Sequence, residues 1–214
     1  PLWQLARNVQ EGEDTGNAIN HVTGIRAWYF EVAQLKQAVL YSFNALQDRI
    51  GSLNRASRTD PLTGLLNRRG LQHALELLQA QGVPFAIVAL DIDRFKSIND
   101  THGHDVGDAA IVHIAEQMRR HSRETDVLCR AGGEEFLLLL PGVGTDAARQ
   151  AAERLRRHIA DEAFAPVGTI TVSLGVAHFP SFHADVEQAL RLADKALYLA
   201  KEQGRNRVVV YPHA

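Results

Sequence analysis

The sequence predicts a helix-and-strand sandwich, α/β or α+β, with helices laid on a mixed sheet and a helical segment in front. Two observations carry this. After about residue 60, apolar runs of strand length alternate with stretches whose apolar residues recur at helical spacing. Before it, apolar residues repeat every seven positions with no strand-like run.

The elements follow in order. Leu2, Leu5 and Val9 lie on one face of a short helix, and a polar stretch with Gly12 and Gly16 follows. From Glu31 to about Ser57, Val32, Val39, Leu46 and Leu53 form a heptad seam, with Leu35, Phe43 and Ile50 beside it. A lone helix cannot bury such a stripe, so it implies coiled-coil dimerisation or packing on the chain's own domain. The boundary falls at Thr59-Asp60-Pro61, giving a helical region 1–58 and a second domain 59–214. In that domain we expect helices over Leu71–Ala80, Asp108–His121, Ala147–Ile159 and Val186–Glu202. Strands are expected over Phe85–Leu90, Val127–Arg130, Phe136–Leu140, Thr169–Ala177 and Val208–Tyr211.

Bulk composition limits the function. The chain has 214 residues, 45% hydrophobic and 22% charged, which is ordinary for a globular protein. A net charge of -2 argues against coating nucleic acid. Cys129 is the only cysteine, so no internal disulfide forms, and a reducing compartment fits. No apolar run reaches the ~20 residues of a membrane helix. The chain opens at Pro1 rather than Met and reads as a piece of something longer.

Chemistry concentrates in a few places. The apolar run Phe85–Leu90 leads straight into Asp91-Ile92-Asp93, which sets carboxylates at a sheet edge. Hard divalent cations prefer such oxygens, although the tripeptide alone fits a solvated strand end as well. Gly132-Gly133 between two strand-like runs reads as a tight hairpin, followed by Glu134, Glu135 and the apolar Phe136–Leu140. Should this hairpin pair beside Asp91, three carboxylates would converge. Two metals could then assist attack on a phosphorus centre. An acidic surface tip is the plainer alternative. Lys96, and Lys201 with Arg205 four residues on, could hold phosphates; a helix end dressed with basic residues is the plainer reading of that pair. Asn99 and Asp108 match the donors of a guanine edge.

At these positions the chain resembles the GGDEF family of diguanylate cyclases. The resemblance runs from about Asp60 to Tyr211 through Asp60–Arg69, Asp91–Lys96, Asn99-Asp100, Gly103-His104, Gly107-Asp108, Arg130–Phe136, Ser173–Gly175, Ala193–Tyr198, Ala200-Lys201 and Gly204–Asn206. It implies an α+β, palm-like sheet flanked by helices, similar to nucleotidyl cyclases. It implies two GTP condensed to cyclic di-GMP by a homodimer. Asp91, the Ile92 carbonyl and Glu134 would hold Mg²⁺ or Mn²⁺. Glu134 would help deprotonate the 3′-hydroxyl, with Glu135 assisting. Asn99 and Asp108 would bind guanine. Lys201, Arg205 and the amides around Phe95 and Lys96 would hold phosphates. Asp93 has no clear role beyond support. Ala131 departs from the bulky residue common before the glycines, which loosens packing but removes no ligand.

Arg123-Glu-Thr-Asp126, with five residues between it and Gly132, sits at the offset of the family's inhibitory site and implies product inhibition by cyclic di-GMP. The first 55 or so residues resemble a HAMP signalling linker through Pro1-Leu2, Leu5, Gly16, Glu31 and Leu35, with Phe30 departing from the usual Asp. Such linkers usually follow a membrane helix. The expected setting is therefore the cytoplasmic portion of a bacterial inner-membrane protein, anchored by an upstream segment. The competing functional reading is a non-catalytic GTP or cyclic di-GMP receptor. A different cyclase stands further off because of Asp108 and the dimeric requirement, and a purely structural dimerisation module because it leaves the acidic strand edge unexplained.

Overall fold

The computed structural model describes residues 35–44, 58–179 and 186–211. Two compact units are present, Pro1–Ala56 and Ser57–Ala214. In the first, residues 35–44 are helical, and the remainder of the heptad seam and of the HAMP-like stretch lies outside the described residues.

The second unit opens with α1 (Arg68–Ala80). Its start is set by Asn67, whose side chain accepts from the amides of Arg69 and Gly70, satisfying two donors that have no intrahelical partner. There follow β1 (Phe85–Ile92), α2 (Phe95–His102), α3 (His104–His121), β2 (Val127–Gly132), β3 (Glu135–Pro141) and α4 (Thr145–Asp161). Then come two-residue strands β4 (Ala163–Phe164) and β5 (Gly168–Thr169), followed by β6 (Val172–Phe179), α5 (Val186–Glu202) and β7 (Val208–Val210). The main sheet has order β2-β3-β1-β6-β7. All its pairings are antiparallel except β6 with β7, which is parallel. The expected mixed sheet with flanking helices is what forms.

β1 is buried along its whole length and occupies the centre. Alternation along it feeds two cores, as a period of two demands. Ala86, Val88, Leu90 and Ile92 pack with Ile111, Ile114 and Met118 of α3 and Leu155 of α4. Phe85, Ile87 and Ala89 pack with Leu71 and Leu75 of α1 and Leu197 of α5. At Gly175 of β6, an added Cβ would stand 2.2 Å from the Ala193 carbonyl oxygen and the Leu197 amide. Glycine there lets α5 lie directly on the sheet, which fixes where its last turn arrives.

Three expectations need correction. Helix α2 lies outside the expected elements, because eight residues rich in Ser, Asn, Asp and Thr give too few apolar repeats to register. The following helix starts at His104, four residues before the expected Asp108. The strand expected from Thr169 begins at Val172, and Gly168-Thr169 pairs instead with Ala163-Phe164. Between them Thr171 gives its carbonyl to the Asp93 amide and its hydroxyl to the Asp93 carboxylate.

Candidate active site

β1 delivers Asp91 to its end, and the β2–β3 hairpin delivers Glu134 and Glu135 beside it. Asp91 is the register partner of Glu135, and the Ile92 amide donates to the Glu134 carbonyl at 3.4 Å. Gly132 and Gly133 have φ of 152° and 52°, and the β2–β3 register shifts between Arg130 and Gly132. Glycine makes that bulged turn possible, because other L-residues strain at such angles.

Burial falls on Asp91 more than on the two hairpin acids. Asp91 is 6% exposed, whereas Glu134 is half-buried and Glu135 is exposed. Burial raises the Asp91 pKa, and the charges of Glu134 and Glu135 add to the rise. The opposing cation is Lys201 near the end of α5, whose Nζ lies 2.8 Å from Asp91 Oδ2. The three carboxylates therefore share one electrostatic neighbourhood but do not converge as a chelating trio. Among the described residues no group of three or more His, Cys, Asp or Glu side chains is placed to hold a metal. What remains is Asp91, the Ile92 carbonyl and Glu134. This all-oxygen set with excess negative charge suits a hard cation that keeps several waters.

Two arginines anchor the turn, and neither is among the residues expected to act at the site. Arg130 Nε donates to the Gly133 carbonyl at 2.9 Å, while its NH1 reaches both carboxylate oxygens of Asp60 at 3.2 Å. Asp60 also accepts from the Thr63 amide and hydroxyl. Burial pushes the Asp60 pKa up, but the Thr63 and Arg130 hydrogen bonds outweigh it and the net shift is downward. Arg68 Nε donates to the Ala131 carbonyl at 2.8 Å. The backbone at Ala131 is thus held even though its side chain is small. The signal for these anchors was an Asp opening the domain and an Arg ahead of the glycines, 70 residues apart in sequence.

Asp93 proves to be a strut. It is 7% exposed. Its carboxylate accepts from Ser173 Oγ at 2.6 Å, Thr171 Oγ1 at 2.8 Å and the Asn206 amide at 3.0 Å. The last bond ties β1 to the turn after α5. That turn carries Arg205, so the four-residue spacing from Lys201 does not put the two on one helix side. The helix ends at Glu202, and Arg205 and Asn206 take left-handed φ of 62° and 45°. Arg205 is placed by this turn, not by helical spacing.

Asn99 lies in α2 and Asp108 in α3. Gly107 lets Asn99 lie against α3, since a Cβ there would stand 1.9 Å from Asn99 Oδ1. That oxygen is buried without a hydrogen-bond partner, while Asp108 is exposed. Phe95 and Lys96 open α2 behind Arg94, which is left-handed at φ 56°; first-turn amides have no partner inside their own helix and face an anion readily. Arg123 and Asp126 form their own small turn. The Arg123 amide donates to Asp126 Oδ2 at 2.8 Å and the Asp126 amide to the Arg123 carbonyl at 3.1 Å. Cys129 is buried, its thiol pushed up to about 12, which makes it inert.

A mixed sheet with an acidic central strand end, an acidic Gly-Gly hairpin in register with it, and a lysine brought in by the last helix defines a nucleotidyl cyclase-like palm domain. The chain belongs to the GGDEF diguanylate cyclase domain family: the family profile "Diguanylate cyclase, GGDEF domain" matches residues 57–207. Relatives include diguanylate cyclase DgcM of Escherichia coli strain K12, 40% identical over 161 residues, and diguanylate cyclase DgcP of Pseudomonas aeruginosa, 39% identical over 201 residues. These matches cover 73% and 84% of the chain, which spans only 39% and 30% of the two relatives' lengths. Among solved structures, the coiled coil and GGDEF domain of DgcB from Caulobacter crescentus, in complex with c-di-GMP, is similar with a TM-score of 0.75 and 29% identity. That match covers 83% of this chain and 97% of that one. Diguanylate cyclase SiaD of Pseudomonas aeruginosa, in complex with its activator SiaC, matches with a TM-score of 0.69 and 35% identity over 98% of this chain and 84% of that one. GGDEF diguanylate cyclases generally use a divalent metal.

Proposed function

We propose that this chain condenses two GTP into cyclic di-GMP with release of two pyrophosphates. The observation that carries the reading is Asp91, buried at the end of the central strand, paired in register with Glu135 and bound by Lys201 at 2.8 Å. A buried carboxylate held against one ammonium and beside two further acids suits a triphosphate accompanied by a cation.

In this reading each catalytic unit holds one GTP. Asn99 and Asp108 take the guanine edge; the partnerless Asn99 oxygen is the acceptor on offer. The α2 amides at Phe95 and Lys96, with Lys201 and Arg205, orient the phosphates. Glu134 takes the 3′-hydroxyl proton, and Glu135 assists. Asp91, Glu134 and the Ile92 carbonyl would hold Mg²⁺ or Mn²⁺, which would supply Lewis acidity when bound. Two units face each other, so that each 3′-hydroxyl meets the other's α-phosphate, and positioning supplies much of the rate. Residues 1–58, as a HAMP-like and coiled-coil region, would bring the two units together and pass on a signal from an upstream, membrane-anchored part. Cyclic di-GMP binding at Arg123 and Asp126 would inhibit.

The decisive experiment incubates the protein with GTP and Mg²⁺ and identifies the product by mass. Cyclic di-GMP is expected, and Asp91→Asn or Glu134→Gln abolishes it. Binding of GTP or cyclic di-GMP with no turnover by wild type at high protein concentration would replace this reading with the receptor one. Removing residues 1–58 should lower specific activity at low protein concentration, and no dependence on dilution would remove the dimerisation role. Arg123→Ala should relieve inhibition by added product.

A further inference from the structure

On the α1 and α5 face of the sheet, directly under the catalytic hairpin, lies an open cavity of about 280 Å³. Its walls include Leu71 and Leu75 of α1 and Leu197 of α5, and its mouth carries Arg68, Glu135 and Asp194. Here the space exists partly because Ala131, at its edge, contributes only a methyl group.

The cavity adjoins the site proposed for GTP and shares Glu135 with it, but it is lined by a different set of residues. Asn99, Asp108, Lys96 and Lys201 do not line it. Helix α2 packs into the other core, with Phe95 and Ile98, while Leu71, Leu75 and Leu197 belong to the core on this side.

Its chemistry selects a ligand class. The leucine walls would shed water onto an aromatic body, since apolar burial is favourable in proportion to area. At the mouth two carboxylates stand against one guanidinium, and that guanidinium already spends its Nε on the Ala131 carbonyl. The cavity wall shelters one side of the Asp194 carboxyl, and with the charge of Glu135 this raises its pKa, with Arg68 only partly offsetting. Negative potential is in surplus there, so a cation is welcome and an anion is not.

We propose that this cavity binds a small aromatic cation, its ring between the leucines of α1 and α5 and its ammonium or amidinium group between Asp194 and Glu135. Because Glu135 also belongs to the catalytic turn, occupancy alters the position of that turn and lowers cyclase activity. This second consequence rests on the cyclase reading; the binding does not.

The test titrates tryptamine into nucleotide-free protein by NMR or calorimetry, with indole-3-propionate as the anionic counterpart of the same ring. Saturable binding of tryptamine at millimolar concentration or below is expected, with none for the carboxylate. Ala131→Trp, which fills the space, should abolish it. Asp194→Asn, at the exposed mouth and so compatible with folding, should weaken it about tenfold, the equivalent of one charge contact. Equal affinity for both probes overturns the proposal. So does unchanged binding in Asp194→Asn, or no saturation by about 5 mM. Binding by a protein that makes no cyclic di-GMP would sink the cyclase reading and leave this site standing.

Discussion

Lys201 Nζ lies 2.8 Å from Asp91 Oδ2, joining the last helix to the end of the central strand. Asp91 is sheltered at 8% side-chain exposure while Lys201 keeps 33%, so the carboxylate depends on the lysine more than the lysine on it. A buried pair loses more when one partner is removed than it gains by existing, because the survivor is stranded.

Lys201→Ala should therefore cut turnover by about a hundredfold, the equivalent of about 3 kcal/mol, and raise the Asp91 pKa further. Steady-state cyclic di-GMP formation checks the first, and carboxyl NMR titration the second. Full activity in the alanine variant would remove Lys201 from the site.

Arg130→Ala should cost about 2 kcal/mol of stability, since it breaks charged hydrogen bonds to Asp60 and releases the Gly133 carbonyl. Its effect on kcat should be larger than that of Thr63→Ala, which touches the same aspartate but not the turn. Denaturant unfolding and kcat measured on both variants decide it.

Gly107→Ala separates substrate binding from folding. The new methyl displaces the Asn99 amide group, the movable end of a side chain. Alanine is also the better helix former by about 1 kcal/mol. Thermal stability should hold, while KM for GTP rises about tenfold. An unchanged KM would argue that Asn99 does not touch the base.

Asp93→Asn should destabilise by about 2 kcal/mol, because an amide group then faces donors where a carboxylate accepted three bonds. Its folded fraction should show a raised KM with little change in kcat, as the turn bearing Arg205 loosens. A pure loss of kcat would contradict that assignment.

Glu153 gives a pH prediction away from the site. Hydrogen bonds from Arg156, and then Arg157 against some burial, lower its pKa from the usual 4.5 to about 2. A depressed carboxylate contributes stability that is present above its unfolded pKa and lost on acidification towards the folded one. Stability should fall between about pH 4.5 and 2, and Glu153→Gln should flatten that limb in acid-denaturation curves.

By itself the sequence determined the order of the main helices and strands, the glycine turn and the acids at the sheet edge. These rest on local causes: periodicity of two or 3.6, positive φ at Gly132 and Gly133, and an apolar run ending in Asp91. It did not show α2, whose eight polar-rich residues carry almost no repeat. Nor could spacing place Arg205, because Gly204, Arg205 and Asn206 all turn to positive φ where a helix was assumed. Only the tertiary structure decided which acid is buried, which cation meets it, that Asp93 is a strut and that Arg130 ties the turn to Asp60. Those relationships span from 70 to 113 residues of sequence. They exist because the sheet sets β6 beside β1 and lays α5 on it at Gly175, and because the loop before α1 meets β2 through Arg130.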